Sequence, residues 1–117
     1  MPDEVVKLIR DDVRIFRADN APEIALEAFR ALTDSPAVFI ERGSTTEEIF
    51  WSRYFWFWLF KEIRVAIDGP DAGLEQQAYQ LLEDPFPECE PDWSQVESVE
   101  ALAHQEAALW LQHRRSH

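Results

Sequence analysis

Between Val65 and His113 the chain contains no lysine and no arginine, while eleven of its 23 acids fall in that stretch. Such a surface repels phosphate backbones, whose binding depends on Lys and Arg neutralising charge, so no direct contact with nucleic acid is expected. Residues 1–64 are nearly balanced, with twelve acids and nine bases, and the whole chain carries a formal net charge of −12. Cysteine is almost absent as well. Cys89 stands alone, which excludes an internal disulfide framework and fits a reducing cytoplasm. The opening MPDEVVKLIRDD has acids where a signal peptide would place a basic segment, so a cytoplasmic location is expected. Long apolar runs are missing too. A membrane span needs ~20 mostly apolar residues, and the run from Tyr54 to Phe60 is closed off by Arg53 and by Lys61-Glu62. The three glycines, at 43, 69 and 73, form no phosphate-cradling loop, and neither an HExxH nor a Ser-His-Asp pattern is present.

Against these absences stands an excess of aromatic residues. The segment FWSRYFWFWLF, residues 50–60, holds eight of the fifteen aromatic side chains of the 117-residue chain. A chain of this length is expected to form one domain over 1–117 with one core, burying roughly two thirds of its unfolded surface. Apolar periodicity predicts five helices, at about 3–17, 20–34, 45–67, 74–84 and 94–114. In the first, Val5, Leu8, Ile9 and Phe16 oppose Lys7, Arg10, Arg14 and Arg17. Pro22 restarts the chain as a helix with Ile24, Ala28, Ala31 and Leu32 as its stripe. STTEE and Ser94 with Glu97 read as capping boxes, in which a Ser or Thr side chain and a Glu three residues on satisfy the first free N–H groups. AVFIE, residues 37–41, is β-prone but has no evident partner strand and reads as an extended connector. PFPECEPDW, residues 85–93, reads as an irregular exposed loop because of its three prolines and three acids. Residues 113–117 read as a frayed tail. The fold expected is therefore an all-α bundle of about five helices around a central aromatic helix. The alternative is an α+β fold with VRIF (13–16), AVFIE and IRVAI (63–67) as a three-stranded sheet.

On a helical wheel the apolar residues of the aromatic helix cover roughly 220°, wider than the ~100° stripe of a surface helix, so it should have neighbours on at least two sides. The remaining sector holds Phe50, Arg53, Tyr54, Phe57, Lys61 and Arg64. Of these, Phe50, Arg53, Phe57, Lys61 and Arg64 form a possible second recognition edge, in which rings among cations could receive a partner. The first recognition surface is the base-free run 83–100. There Glu83, Asp84, Glu88, Glu90, Asp92, Glu97 and Glu100 accompany two aromatic anchors, Phe86 and Trp93, on a proline-stiffened segment. Stiffness lowers the entropy lost on binding, and anchors of this type become hot spots.

Residues with chemical potential read mostly as structural. His113 and His117 are spaced for a metal but lie beside two arginines. His104 sits four residues after Glu100, as an ion pair would, and Cys89 lies between two glutamates, which disfavour its thiolate. No catalytic residue, cofactor or metal is assigned. The reading is of a small acidic cytoplasmic inhibitor, of the immunity or antitoxin type, that neutralises a basic protein such as a toxin or nucleic-acid enzyme by occlusion. One alternative is a chaperone or regulatory subunit, possible as a homodimer, that uses the aromatic edge. Another is a small metal-dependent or acid–base enzyme built on Glu100 and His104. If the aromatic helix is central, Trp58→Ala should cost roughly 3 to 5 kcal/mol, read as a lowered thermal midpoint; an unchanged midpoint would remove the assignment.

Overall fold

A computed structural model describes residues 21–84 and 88–115. It is an all-α bundle. Five α-helices are present among the described residues: α1 (Ala21–Asp34), α2 (Pro36–Glu41), α3 (Thr46–Asp68), α4 (Ala72–Glu83) and α5 (Val96–Arg115). A single 3₁₀ turn, Trp93–Gln95, leads into α5. The segment predicted as a helix over 3–17 lies outside the described residues, and no strand occurs among the described ones. Helix α5 continues through Arg115, so the first three residues of the expected tail are helical.

Capping chemistry sets most of the boundaries. Thr45 begins α3, its hydroxyl accepting from the Glu48 N–H at 3.1 Å. Asp71 begins α4 by accepting from Gly73 N and Leu74 N at 2.9 and 3.2 Å, two residues earlier than apolar periodicity alone places the start. Gly69 ends α3 at φ 96°, a left-handed conformation available at little cost only without a Cβ, while its N–H donates to Val65 O. The second predicted box is corrected. Asp92, not Ser94, is the cap, and Ser94 lies inside the 3₁₀ turn with both its N–H and its hydroxyl donating to Asp92 Oδ1.

AVFIE is likewise corrected from connector to helix α2. Pro36 at the first helical position is preorganised for the turn, and Phe39 alone of this stretch packs on the core while Val38 and Ile40 face outward. A single inward ring suits one helical turn and a half, whereas a strand would have needed a partner to take its hydrogen bonds. The three-stranded alternative fails with it, since residues 63–67 are also helical.

Helix α3 is the axis of the bundle. Every residue from Ile49 to Leu59 is buried, including Trp51, Phe55 and Leu59 at 0% exposure. Helices α1, α4 and α5 all pack against it. Helix α1 runs antiparallel to α3: Thr33 meets Arg53 and Phe29 meets Phe57. Helix α4 folds back after the turn at Gly69, bringing Tyr79 to within 5.9 Å of Trp58. Helix α5 runs parallel to α3, since Asp92, Glu100 and His104 meet Glu47, Tyr54 and Glu62 in order.

The Tyr54 hydroxyl, buried within the core, donates to Glu100 Oε1 at 3.0 Å and ties α3 to α5. Burial first, then the Glu100 charge, hold this phenol in its neutral form and push its pKa well above the ordinary value. A phenol whose folded pKa is raised contributes stability that is complete below the unfolded value of about 10 and is lost as pH rises beyond it. Urea midpoints of the wild type should therefore fall above about pH 10, and more steeply than those of Tyr54→Phe; parallel pH profiles would refute the assignment.

Candidate functional site

Residues 88–100 cross the N-terminal half of α3 and are fastened to it through one carboxylate. Glu47 Oε1, in the first turn of α3, accepts from Asp92 N at 2.7 Å and from Trp51 Nε1 at 3.3 Å. An acid suits this position because the free N–H groups of a helix start favour negative charge. The same oxygen thus satisfies a buried indole of the core and fixes the loop above it. Trp93 follows directly and closes on the core edge-on, its ring 6.0 Å from Phe50 and 6.4 Å from Trp51, while 51% of the residue stays exposed.

The predicted acidic surface is largely on the outside. Glu83, Asp84, Glu88, Glu90, Asp92 and Glu97 are exposed, and Phe86 lies outside the described residues. Glu100 is half-buried and engaged by Tyr54. The Ser94 hydroxyl, and then the Ser94 N–H, hold the Asp92 carboxyl below the usual range, so this acid stays charged. Trp93 pins the loop onto the core through Phe50 and Trp51, and about half of the residue faces water.

The second predicted edge is corrected. Phe50, Arg53 and Phe57 are 1%, 8% and 5% exposed, so they are core and not a docking stripe. Helix α1 covers Arg53 and Phe57, and Trp93 closes on Phe50. Phe29 packs on Phe57 at a tilt of 58° with centroids 5.1 Å apart, and the Arg53 guanidinium lies 5.4 Å from the Phe29 ring centre. Arg53 Nε donates to Thr33 Oγ1 at 2.9 Å, and that hydroxyl in turn donates to Phe29 O at 2.9 Å. Burial pushes the Arg53 pKa down, and the Asp84 charge opposes it. Lys61 is half-buried, its ammonium 3.7 Å from the centre of the Trp58 ring. Only Arg64 is exposed, in an i,i+4 pair with Asp68 at 3.1 Å.

Other candidates resolve into local contacts. His104 Nδ1 lies 3.4 Å from Glu62 Oε2, across to α3, and is not paired with Glu100 as its spacing suggested. The Cys89 thiol is pushed up, first by burial and then by the Glu47 charge, and not by its flanking glutamates. Among the described residues no group of three or more His, Cys, Asp and Glu side chains is arranged to hold a metal, and no helix is long and apolar enough to cross a membrane. The residues that sequence reasoning missed are Glu47 and Thr33. Glu47 precedes Trp51 by four positions, a spacing that brings side chains together on a helix, but its contact with Asp92 leaves no local trace. No family model matches the chain, and neither a curated protein nor a solved structure does.

Glu47→Ala leaves the Asp92 N–H and the Trp51 indole without an acceptor. It is expected to cost about 1 to 3 kcal/mol and to shift tryptophan emission to longer wavelength as Trp93 loosens. Glu47→Gln, which keeps the oxygen, should retain most of both; equal loss in the two variants would show that the charge and not the acceptor matters.

Proposed function

We propose that the chain is a small acidic binding protein of the immunity or antitoxin type, which occludes a basic protein such as a toxin or a nucleic-acid enzyme in the cytoplasm. One observation carries this reading: a half-exposed tryptophan, braced against the core, stands in a field of exposed carboxylates that contains no base from Val65 to His113. Acids at Asp84, Glu88, Glu90, Asp92 and Glu97 would steer a cationic partner from a distance and raise its rate of encounter. Trp93 would then bury its free face in the partner. Its hydrogen-bonded surroundings, with Asp92 capping the turn and Glu47 fixing the loop, reduce the entropy lost on docking.

The alternative use of the aromatic helix, as a seam for a chaperone client or a second copy, has lost its surface, because Phe50, Arg53 and Phe57 are covered by the chain itself. Immobilised wild-type protein should retain a basic protein from a native lysate at low salt and release it at high salt, and Trp93→Ala should retain much less of it. A catch indifferent to both salt and Trp93, or no catch at all, would overturn the proposal.

A further inference from the structure

Beyond the loop, one ring on α4 faces water that a purely structural role does not account for. Tyr79 is 47% exposed, although its neighbours Ala78 and Leu82 turn inward to the core. Its inner edge rests on Trp58, with ring centroids 5.9 Å apart at 62°. The ring is therefore held in place, and its other face is open.

Glu75, Tyr79 and Glu83 follow one another at four-residue steps, which places them in a row along α4 with about 6 Å between successive positions. Together with Gln76, Gln80 and Ala72 they line a shallow groove of about 380 Å³ on the outside of the bundle. An aromatic face between two carboxylates attracts a cation twice over, by the ring quadrupole and by charge. The chain itself already seats a cation next door: Lys61 from α3 places its ammonium 3.7 Å from the centre of Trp58, the ring on which Tyr79 rests, and shares an adjoining groove with Glu75. No base on α4 competes for the Tyr79 side.

We infer that the outer face of α4 is a docking site for a cationic segment of a protein partner, with an Arg or Lys side chain on the open face of Tyr79 and neighbouring cations on Glu75 and Glu83. This rests on the reading that the partner is basic, and extends it. Glu83 belongs both to this row and to the acidic loop, so the two surfaces are continuous in sequence. A second copy meeting this face with its own would set Glu75 and Glu83 against like charges, and a phosphate backbone would be repelled by the same two acids.

The test uses the full chain and a labelled helical peptide with arginine at every fourth position, followed by anisotropy at low and at high salt. A control peptide of the same composition has its arginines bunched at one end. Tyr79→Ala, which replaces an exposed residue by a good helix former and should fold, is expected to weaken binding about tenfold. Tyr79→Phe, which keeps the ring, should bind as the wild type does. Glu75→Gln with Glu83→Gln should flatten the salt dependence, and the bunched peptide should bind more weakly than the spaced one. Binding unchanged in Tyr79→Ala, lost equally in Tyr79→Phe, or equal for the two peptides overturns the inference. If the wild type binds neither peptide, the basic-partner reading falls with it. If binding depends on Trp93 but not on Tyr79, only the α4 site falls.

Discussion

A helix buried all round must be covered on every side, and the rest of this structure follows from that requirement. Eleven consecutive residues of α3, Ile49 to Leu59, lie inside the protein. No stripe of this stretch is left for water, so α1, α4, α5 and the 3₁₀ turn each take a sector of it. Burial on this scale supplies most of the driving force for folding. It also strands polar atoms that would cost stability if left unpaired. Two partners come from the covering elements, Thr33 of α1 for Arg53 and Glu100 of α5 for the Tyr54 hydroxyl, while the Trp51 indole is met by Glu47 from α3 itself. Apolar contact holds the bundle together, and these few bonds fix where each neighbour sits along the axis.

The parts of this arrangement visible in the sequence were those written in local chemistry. The span of α3, its central place and the Thr45 cap follow from periodicity, the width of the apolar arc and a box of four residues. Other features did not follow. AVFIE has β-branched residues that favour a strand, yet Pro36 before it and one inward ring at Phe39 decide for a helical turn. The Arg53 sector looks like a solvent face because its cations suggest water. In the folded chain Arg53 is buried beside a hydroxyl and a ring supplied by α1, twenty residues and more away in sequence. A wheel counts polarity on one helix and has no access to a polar partner on the next. The same reason hid Glu47, whose second ligand, the Asp92 N–H, lies 45 residues downstream.

This use of polar groups draws two of the cations onto aromatic rings. Arg53 and Lys61 are turned onto rings, Phe29 and Trp58, where their charge is held close to the core. The acids of α4, the loop and the start of α5 face outward. The separation is partial, since Arg30, Arg42 and Arg64 are exposed and Glu106 is buried, but the outward acids from α4 into α5 have no Lys or Arg among them between Val65 and His113. A sequence with the same net charge but with Arg53 and Lys61 at the surface would neutralise part of the field.

Placing such acids on a packed bundle has a consequence that an acidic tail of equal charge would lack. A flexible tail attracts any cation and orders itself only on contact, which costs entropy for each residue fixed. Here Asp92 is locked by Ser94 and by the Glu47 bond, and Trp93 by two edge-on rings, before any partner arrives. Charge alone would speed encounter with every basic protein in reach, and discrimination among them requires groups at fixed positions. On the proposed reading, a tryptophan held at one point among carboxylates would admit only a partner whose apolar pocket and cations match that spacing. On that reading the stability of the aromatic helix would be converted into specificity, because the contacts that hold Trp93 and its neighbour Asp92 are made to Phe50, Trp51 and Glu47 of the helix itself.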